Sequence, residues 1–165
     1  MPLTAALTYS DGITGTNSHS EIGGLDVSEA SEVYEYEHKV YSPIDLNTGA
    51  IQGSRVHGPL KVTKPVDNAT APLYQALCHA QILEEVVLHF FRASLAGDGT
   101  VEEYWTITMT NVKVASIYPK LPNVKDEELL NIPLMEDVEF LYETIAWKHE
   151  PAALEFEDVW ASPGG

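Results

Sequence analysis

A period of two recurs along this chain, and it commits most of the sequence to β-strands. Tyr34, Tyr36, His38 and Val40 alternate with Glu35, Glu37 and Lys39, so the aromatic members fall on one face of an extended run. Trp105, Ile107 and Met109 oppose Thr106, Thr108 and Thr110 in the same way. Near Asn111 the phase slips, and Val112 and Val114 take over the apolar face, as at a bulge or a local twist. Val138, Phe140 and Tyr142 against Glu139, Leu141 and Glu143 give a third alternating run. The stretch Val86-Val87-Leu88-His89-Phe90-Phe91 is apolar on both faces and reads as a strand covered from two sides. Between it and the Trp105 run, Ala96-Gly97-Asp98-Gly99 has the residues a hairpin turn requires.

One helix interrupts the strands. Thr70 is placed to cap it, Pro72 sits in the first turn, and Leu73, Leu77 and Ala80 share a face. A second, short acidic helix is expected from Lys125 to Leu130. Leu73, Leu77, Trp105 and Trp147 are core by period and size. The expected fold is mainly β: a β-barrel or two-sheet sandwich with one flanking α-helix and an extended loop arm. With 165 residues and no composition break, residues 1–165 are expected to form a single domain.

Charge narrows the partners. Twenty-five acidic residues stand against 9 basic ones, for a net charge of −16. Such a surface repels phosphate backbones and anionic lipid, so neither nucleic acid nor a membrane is an expected partner. No Lys or Arg precedes Lys39 and no apolar core segment follows, which leaves no secretory signal pattern. The chain is expected to fold in a reducing cytoplasm. The single cysteine, Cys78, lies in an apolar-leaning stretch and reads as a buried, inert thiol.

Catalytic patterns are weak. His19, His38, His57, His79, His89 and His149 never pair at spacings that put two imidazoles on one metal, so no metal or other cofactor is expected. No Gly-x-Ser-x-Gly elbow surrounds Ser20, Ser28 or Ser42, and no Gly-Lys-Ser/Thr phosphate loop follows the glycines at Gly15, Gly23 and Gly24. Glu35 and Glu37 share a strand face, as a glycosidase pair can, but alternation beside tyrosines equally describes a wet or intersubunit face. The chain is therefore read as a non-enzyme. A carbohydrate-binding β-sandwich is the alternative, with Tyr34, Tyr36 and Trp105 as its aromatic platform.

One segment is richer than its composition. From Glu37-His38 it runs through Tyr41, Pro43, Ile44, Asp45, Leu46, Asn47, Thr48 and Gly49 to Gly53, Arg55, His57 and Pro59, then Thr63-Lys64. Some 15 residues with little structure of their own are uncommon in a compact domain and usually serve a function. The segment is hydrophilic, yet Ile44, Leu46 and Ile51 give it apolar teeth, the pattern of an arm that reaches a neighbouring subunit. Gly49 and Gly53 serve either as turn residues or as contact points. Arg55 and His57 either fix the arm to its own barrel or meet a partner.

These residues resemble the Hcp (haemolysin-coregulated protein) family pattern: Glu-His, Pro-x-Asp-x-x-Thr-Gly, Gly-x-Arg-x-His-x-Pro, then Thr-Lys. The likeness continues through Asp67, Pro72-Leu73-Tyr74, Phe90-Phe91-Arg92, Asn111-Val112-Lys113-Val114, Trp147 and the terminal Asp158 and Trp160. The resemblance implies the inner tube of a type VI secretion system. Its protomers form homohexameric rings that stack and carry effectors in the lumen. A spike, a sheath and a baseplate are the implied partners, and export proceeds without a cleaved signal peptide. It also implies a plain tube subunit, with the arm residues Tyr41 to Pro59 as the subunit contact.

Overall fold

The computed structural model describes residues 3–129 and 131–160. In chain order the strands are β1 (Ala5–Tyr9), β2 (Glu21–Ile22), β3 (Leu25–Asp26), β4 (Ser31–Val33), β5 (Glu35–Glu37), β6 (Val40–Tyr41), β7 (Val56–His57) and β8 (Leu60–Pro65). Helix α1 (Thr70–Cys78) follows, then β9 (Leu83–Ala93), β10 (Val101–Lys120), β11 (Met135–Leu141), β12 (Thr144–His149) and β13 (Leu154–Val159).

The strands close on themselves. β1 pairs with β4 and β9, β9 with β10, β10 with β11, β11 with β8, and β8 with β5, all antiparallel. A single residue, Tyr34, separates β4 from β5, and its amide donates to the Thr63 carbonyl of β8 at 2.8 Å. That bond joins the two ends of the β4-to-β5 strand path and closes it, leaving β12 and β13 as an extension beside β10. Leu7, Leu60, Leu88, Ile107, Met109, Phe140 and Ile145 are fully buried in the main core, and α1 lays Leu73 and Ala76 against it. Each such side chain contributes about 1.5–3 kcal/mol by leaving water.

Strand β10 serves two partners along one edge, β12 over Trp105–Thr110 and β11 over Lys113–Lys120. Asn111 lies at the changeover with φ of 52°. No residue is inserted there against β9, since Thr110 faces Glu85 and Val112 faces Leu83. The phase slip is therefore carried by one residue in the left-handed backbone conformation, and the register breaks fall at Glu103/Trp105 and Val114/Ser116. The hairpin at 94–100 forms as its glycines require, closed by Ser94 N–H to the Thr100 carbonyl.

Five expectations are corrected. The run from Tyr34 to Val40 is not one strand: Tyr34 links β4 to β5 and is 49% exposed, while Tyr36 packs on the core. Thr70 does not cap α1. Ala69 is the N-cap, Asp67 Oδ1 accepts the Ala69 amide, and the Thr70 hydroxyl donates to Glu136. Cys78 is exposed, because five residues on from Leu73 it has turned about 140° away from the buried face. Ala80 lies past the helix end with φ of 51°, where the Gln81 and Ala80 amides reach back to Ala76 and Leu77. The acidic segment is a 3₁₀ turn over Glu127–Leu129, and Leu130 lies outside the described residues.

The core also holds a buried ionic group. The Lys64 ammonium is fully buried, 2.8 Å from Asp67 and 2.6 Å from Glu136. Asp67 also accepts the Ser31 hydroxyl at 2.6 Å, and Ser31 in turn accepts the Tyr9 hydroxyl at 2.8 Å. Burial drives the Tyr9 phenol far above its ordinary pKa. The Thr63-Lys64 and Asp67 elements of the sequence pattern thus belong to the scaffold.

Candidate functional site

The segment expected as a loop with little structure is a two-stranded ribbon. β6 and β7 pair Val40 with His57 and Tyr41 with Val56, and farther out Ile44 bridges Ile51. Gln52 N–H donates to the Pro43 carbonyl at 2.7 Å and Asp45 N–H to the Ala50 carbonyl at 2.8 Å. At the tip the Asp45 side chain accepts the Asn47 amide and the Thr48 hydroxyl accepts the Ala50 amide. Gly49 takes a φ of 73°, which a side chain would oppose, and its amide returns to the Asp45 carbonyl. The ribbon satisfies its own backbone and so projects without needing cover from the barrel.

What it projects is apolar. Leu46 is 90% exposed, Ile51 69% and Ile44 55%, with Tyr41 exposed nearer the root. Pro43 and Asp45 are half-buried, and Asn47, Thr48, Gly49, Gly53 and Pro59 are exposed.

Arg55 and His57 face the other way, into the chain's own body. Arg55 forks onto Asp158 of β13 through Nε at 2.7 Å and Nη2 at 2.9 Å, and Nη2 also donates to the Val159 carbonyl. His57 is buried, with Nε2 2.7 Å from Asp158 and Nδ1 2.7 Å from the Tyr142 hydroxyl. His38, just before β6, meets the same hydroxyl at 2.8 Å. The His57 ring stacks between Trp147 and Trp160, with centroids 6.4 Å and 5.6 Å away. The sequence left open whether Arg55 and His57 anchor the arm or meet a partner; these contacts are anchoring ones.

Each shift in this root has a local cause. The Arg55 fork, with His57 beside it, holds the Asp158 carboxyl down at about 2, and the same fork raises the guanidinium. Burial raises the Tyr142 phenol. Burial, helped by the neighbouring His57, lowers His38 below the usual imidazole value. Tyr142 is the participant that sequence reasoning missed. It sits in the two-residue bend between β11 and β12, where alternation marks only a core position. That Asp158 is the partner of Arg55, 103 residues away, carries no local signal either.

Other candidate chemistry is not assembled. Glu35 and Glu37 are exposed on β5. Among the described residues no three His, Cys, Asp or Glu side chains converge as a metal centre requires, and no helix is long and apolar enough to cross a membrane.

Fold and arm together define a class: small closed β-barrels, mainly antiparallel, that carry a projecting β-ribbon rooted by the last strand. Comparison with known proteins places the chain within that class. The family model described as "Type VI secretion system effector, Hcp" matches residues 7–149. The "Major exported protein" of Pseudomonas aeruginosa is 34% identical over 131 residues, covering 79% of this chain and 75% of the relative. The Hcp1 protein of E. coli EAEC 042 superposes with a TM-score of 0.79 at 28% identity over 97% of this chain and 99% of its own. Hcp3 of Pseudomonas aeruginosa shares the fold, with a TM-score of 0.69 at 24% identity over 98% and 99%. The chain belongs to the Hcp family of type VI secretion proteins, a family of structural secretion proteins.

Proposed function

We propose that this chain is a tube subunit, assembling into homohexameric rings that stack into the inner tube of a type VI secretion system. The observation that carries this reading is the arm: a ribbon rooted by charge-assisted bonds that presents Leu46, Ile51 and Ile44 to solvent. A monomer gains nothing from holding three large aliphatic side chains on a fixed stalk, whereas an assembly buries them. A ring also needs two unlike faces on each protomer. β13 offers the second: among the described residues it pairs only with β12, and its Leu154 and Phe156 are 69% and 65% exposed.

In this reading residues 1–165 act as one unit, the arm from Tyr41 to Pro59 is the subunit contact, and the lumen carries effector proteins. Spike, sheath and baseplate are the remaining partners, and the subunit leaves the cytoplasm through that machinery with no cleaved signal. The carbohydrate-module alternative is disfavoured because Tyr36 and Trp105 pack against the core, which leaves Tyr34 without a platform. Light scattering coupled to size exclusion tests the reading. Six subunits of 18.2 kDa give 6 × 18.2, about 109 kDa, and a stable monomer at micromolar concentration overturns it.

A further inference from the structure

The root of the arm contains an arrangement that tube assembly does not require: two imidazoles share one phenol. The hydrogen positions follow from the neighbours. Asp158, already ionised and held by Arg55, can only accept, so His57 carries its proton on Nε2. His57 Nδ1 is then bare and accepts the Tyr142 O–H. With that hydrogen committed, His38 must donate its Nε2–H to the Tyr142 oxygen. Every donor in the chain His38, Tyr142, His57, Asp158 points the same way.

Protons disturb this order in two steps. With one extra proton on the pair an arrangement remains, in which His57 carries hydrogen on both nitrogens with Nε2 beside Asp158. It puts hydrogen on Nδ1, so Tyr142 must turn and donate to a bare His38 Nε2. That rearrangement is available if His38 moves its proton to Nδ1. A second proton has no arrangement. His38 and His57 would both aim N–H groups at one oxygen, the phenol hydrogen would lose its acceptor, and two cations would share a buried oxygen.

We propose that His38, Tyr142 and His57 form an acid-operated latch on the arm, closed near neutral pH and released when both imidazoles are protonated. The latch joins both ribbon strands to the barrel, since His38 leads into β6 and His57 lies in β7 while Tyr142 belongs to the β11–β12 bend.

The surrounding charges do not substitute for it. Glu37, Lys39, Lys61 and Glu139 line the open groove beside His38 with balanced charge, and Lys113 and Glu143 do the same beside Tyr142. Tyr36 on β5 is a phenol raised to about 12, uncharged across the whole window. Asp158 titrates near 2 and keeps its charge throughout. The sign follows from His38. Free of the latch it titrates near the ordinary 6.5, and latched it titrates lower. The closed state therefore binds fewer protons, its stability is fully present above about pH 6.5, and it declines as pH falls through the lower latched value.

Amide hydrogen exchange of the native protein, corrected for intrinsic rates, tests this at about pH 7.5 and about pH 5.5. Protection at Tyr41, Val56 and Gly58 is expected to fall about tenfold at the lower pH, while Ile107 in β10 stays unchanged. In His38→Gln the side-chain amide still donates to Tyr142 but does not titrate, so the fall should shrink to less than about twofold. Unchanged protection in the native arm, or an undiminished fall in His38→Gln, overturns the latch. A proton-resonance titration of both imidazoles in the native protein gives a second reading: two separated steps support the latch, and two ordinary overlapping ones refute it. Because assembly would itself protect the arm, both measurements are repeated in the Ile44→Asp, Leu46→Asp variant, where the arm contact is removed and the same pH dependence is expected. A failed latch and a failed tube reading, judged by the mass at about pH 7.5, are thus told apart.

Discussion

Replacing Lys64 by Met should be among the most damaging single changes in the barrel, and the structure says where the loss arises. The ammonium is fully buried between Asp67 and Glu136, whose side chains are 5% and 0% exposed. Without it Asp67 keeps donors from Thr16 N–H, Ser31 Oγ and Ala69 N–H. Glu136 keeps only the Thr70 hydroxyl, and its Oε2 already has no partner among the described residues. An uncompensated buried carboxylate of this kind costs about 3–5 kcal/mol. At about 2–4 °C per kcal/mol for a chain of this size, the melting midpoint falls by roughly 6–20 °C. The double variant Lys64→Met, Glu136→Leu removes the orphan together with its partner and should recover more than half of the loss. Melts belong on a background carrying Ile44→Asp and Leu46→Asp, because assembly raises apparent stability by mass action. A loss below about 1 kcal/mol, or a double variant no better than the single, would refute the assignment of the cost to Glu136.

The remaining predictions are smaller in scope. Ile44→Asp with Leu46→Asp should leave the circular dichroism spectrum intact while weakening assembly by about 2 kcal/mol or more, read as a dissociation constant raised about thirtyfold. Ala80→Gly relieves a left-handed residue at the helix end and should raise stability by about 0.5–1 kcal/mol in urea titration; no gain would mean the strain is absent. Gly15→Ala sets a Cβ against the Ser31 amide and 2.8 Å from the Ala30 carbonyl carbon, so it should destabilise by at least about 1–3 kcal/mol, as overpacking against backbone does. In the proposed hexamer, six subunits at −16 would give 6 × (−16), or −96 charges per ring. Electron microscopy should therefore find more stacked rings at about 500 mM than at about 20 mM salt, and equal or fewer would mean that net charge does not limit stacking.

The strands were readable because a half-buried sheet forces apolar residues into alternate positions, and even the phase slip at Asn111 stood in the sequence. The errors share a cause, which is partners far away in the chain. Thr70 has the chemistry of a cap, but Glu136, 66 residues on, recruits its hydroxyl. Cys78 sits in an apolar stretch, but the barrel covers only the face of α1 that carries Leu73 and Ala76. The arm was visible as a pattern and its teeth as aliphatic residues in polar surroundings. Its ribbon pairing and its anchor on Asp158 were not visible, because each depends on where the barrel brings distant segments.

The closure of the barrel has a consequence for the chain during synthesis. One edge of β1 can pair early with β4, but its other edge has no partner until β9 exists, and Thr8 meets Val87 across 79 residues. At about 5–20 residues per second, a newly made β1 waits on the order of 4–16 s before that partner is translated. Contacts this distant in sequence also belong to the slower folding regimes. Throughout that wait Leu7 and Val33, buried in the finished protein, are open to other nascent chains. The first 38 residues carry seven Asp and Glu and no Lys or Arg, so unfinished copies repel one another. The one-sided charge of this segment therefore acts before there is any fold, as a barrier to premature strand pairing between copies.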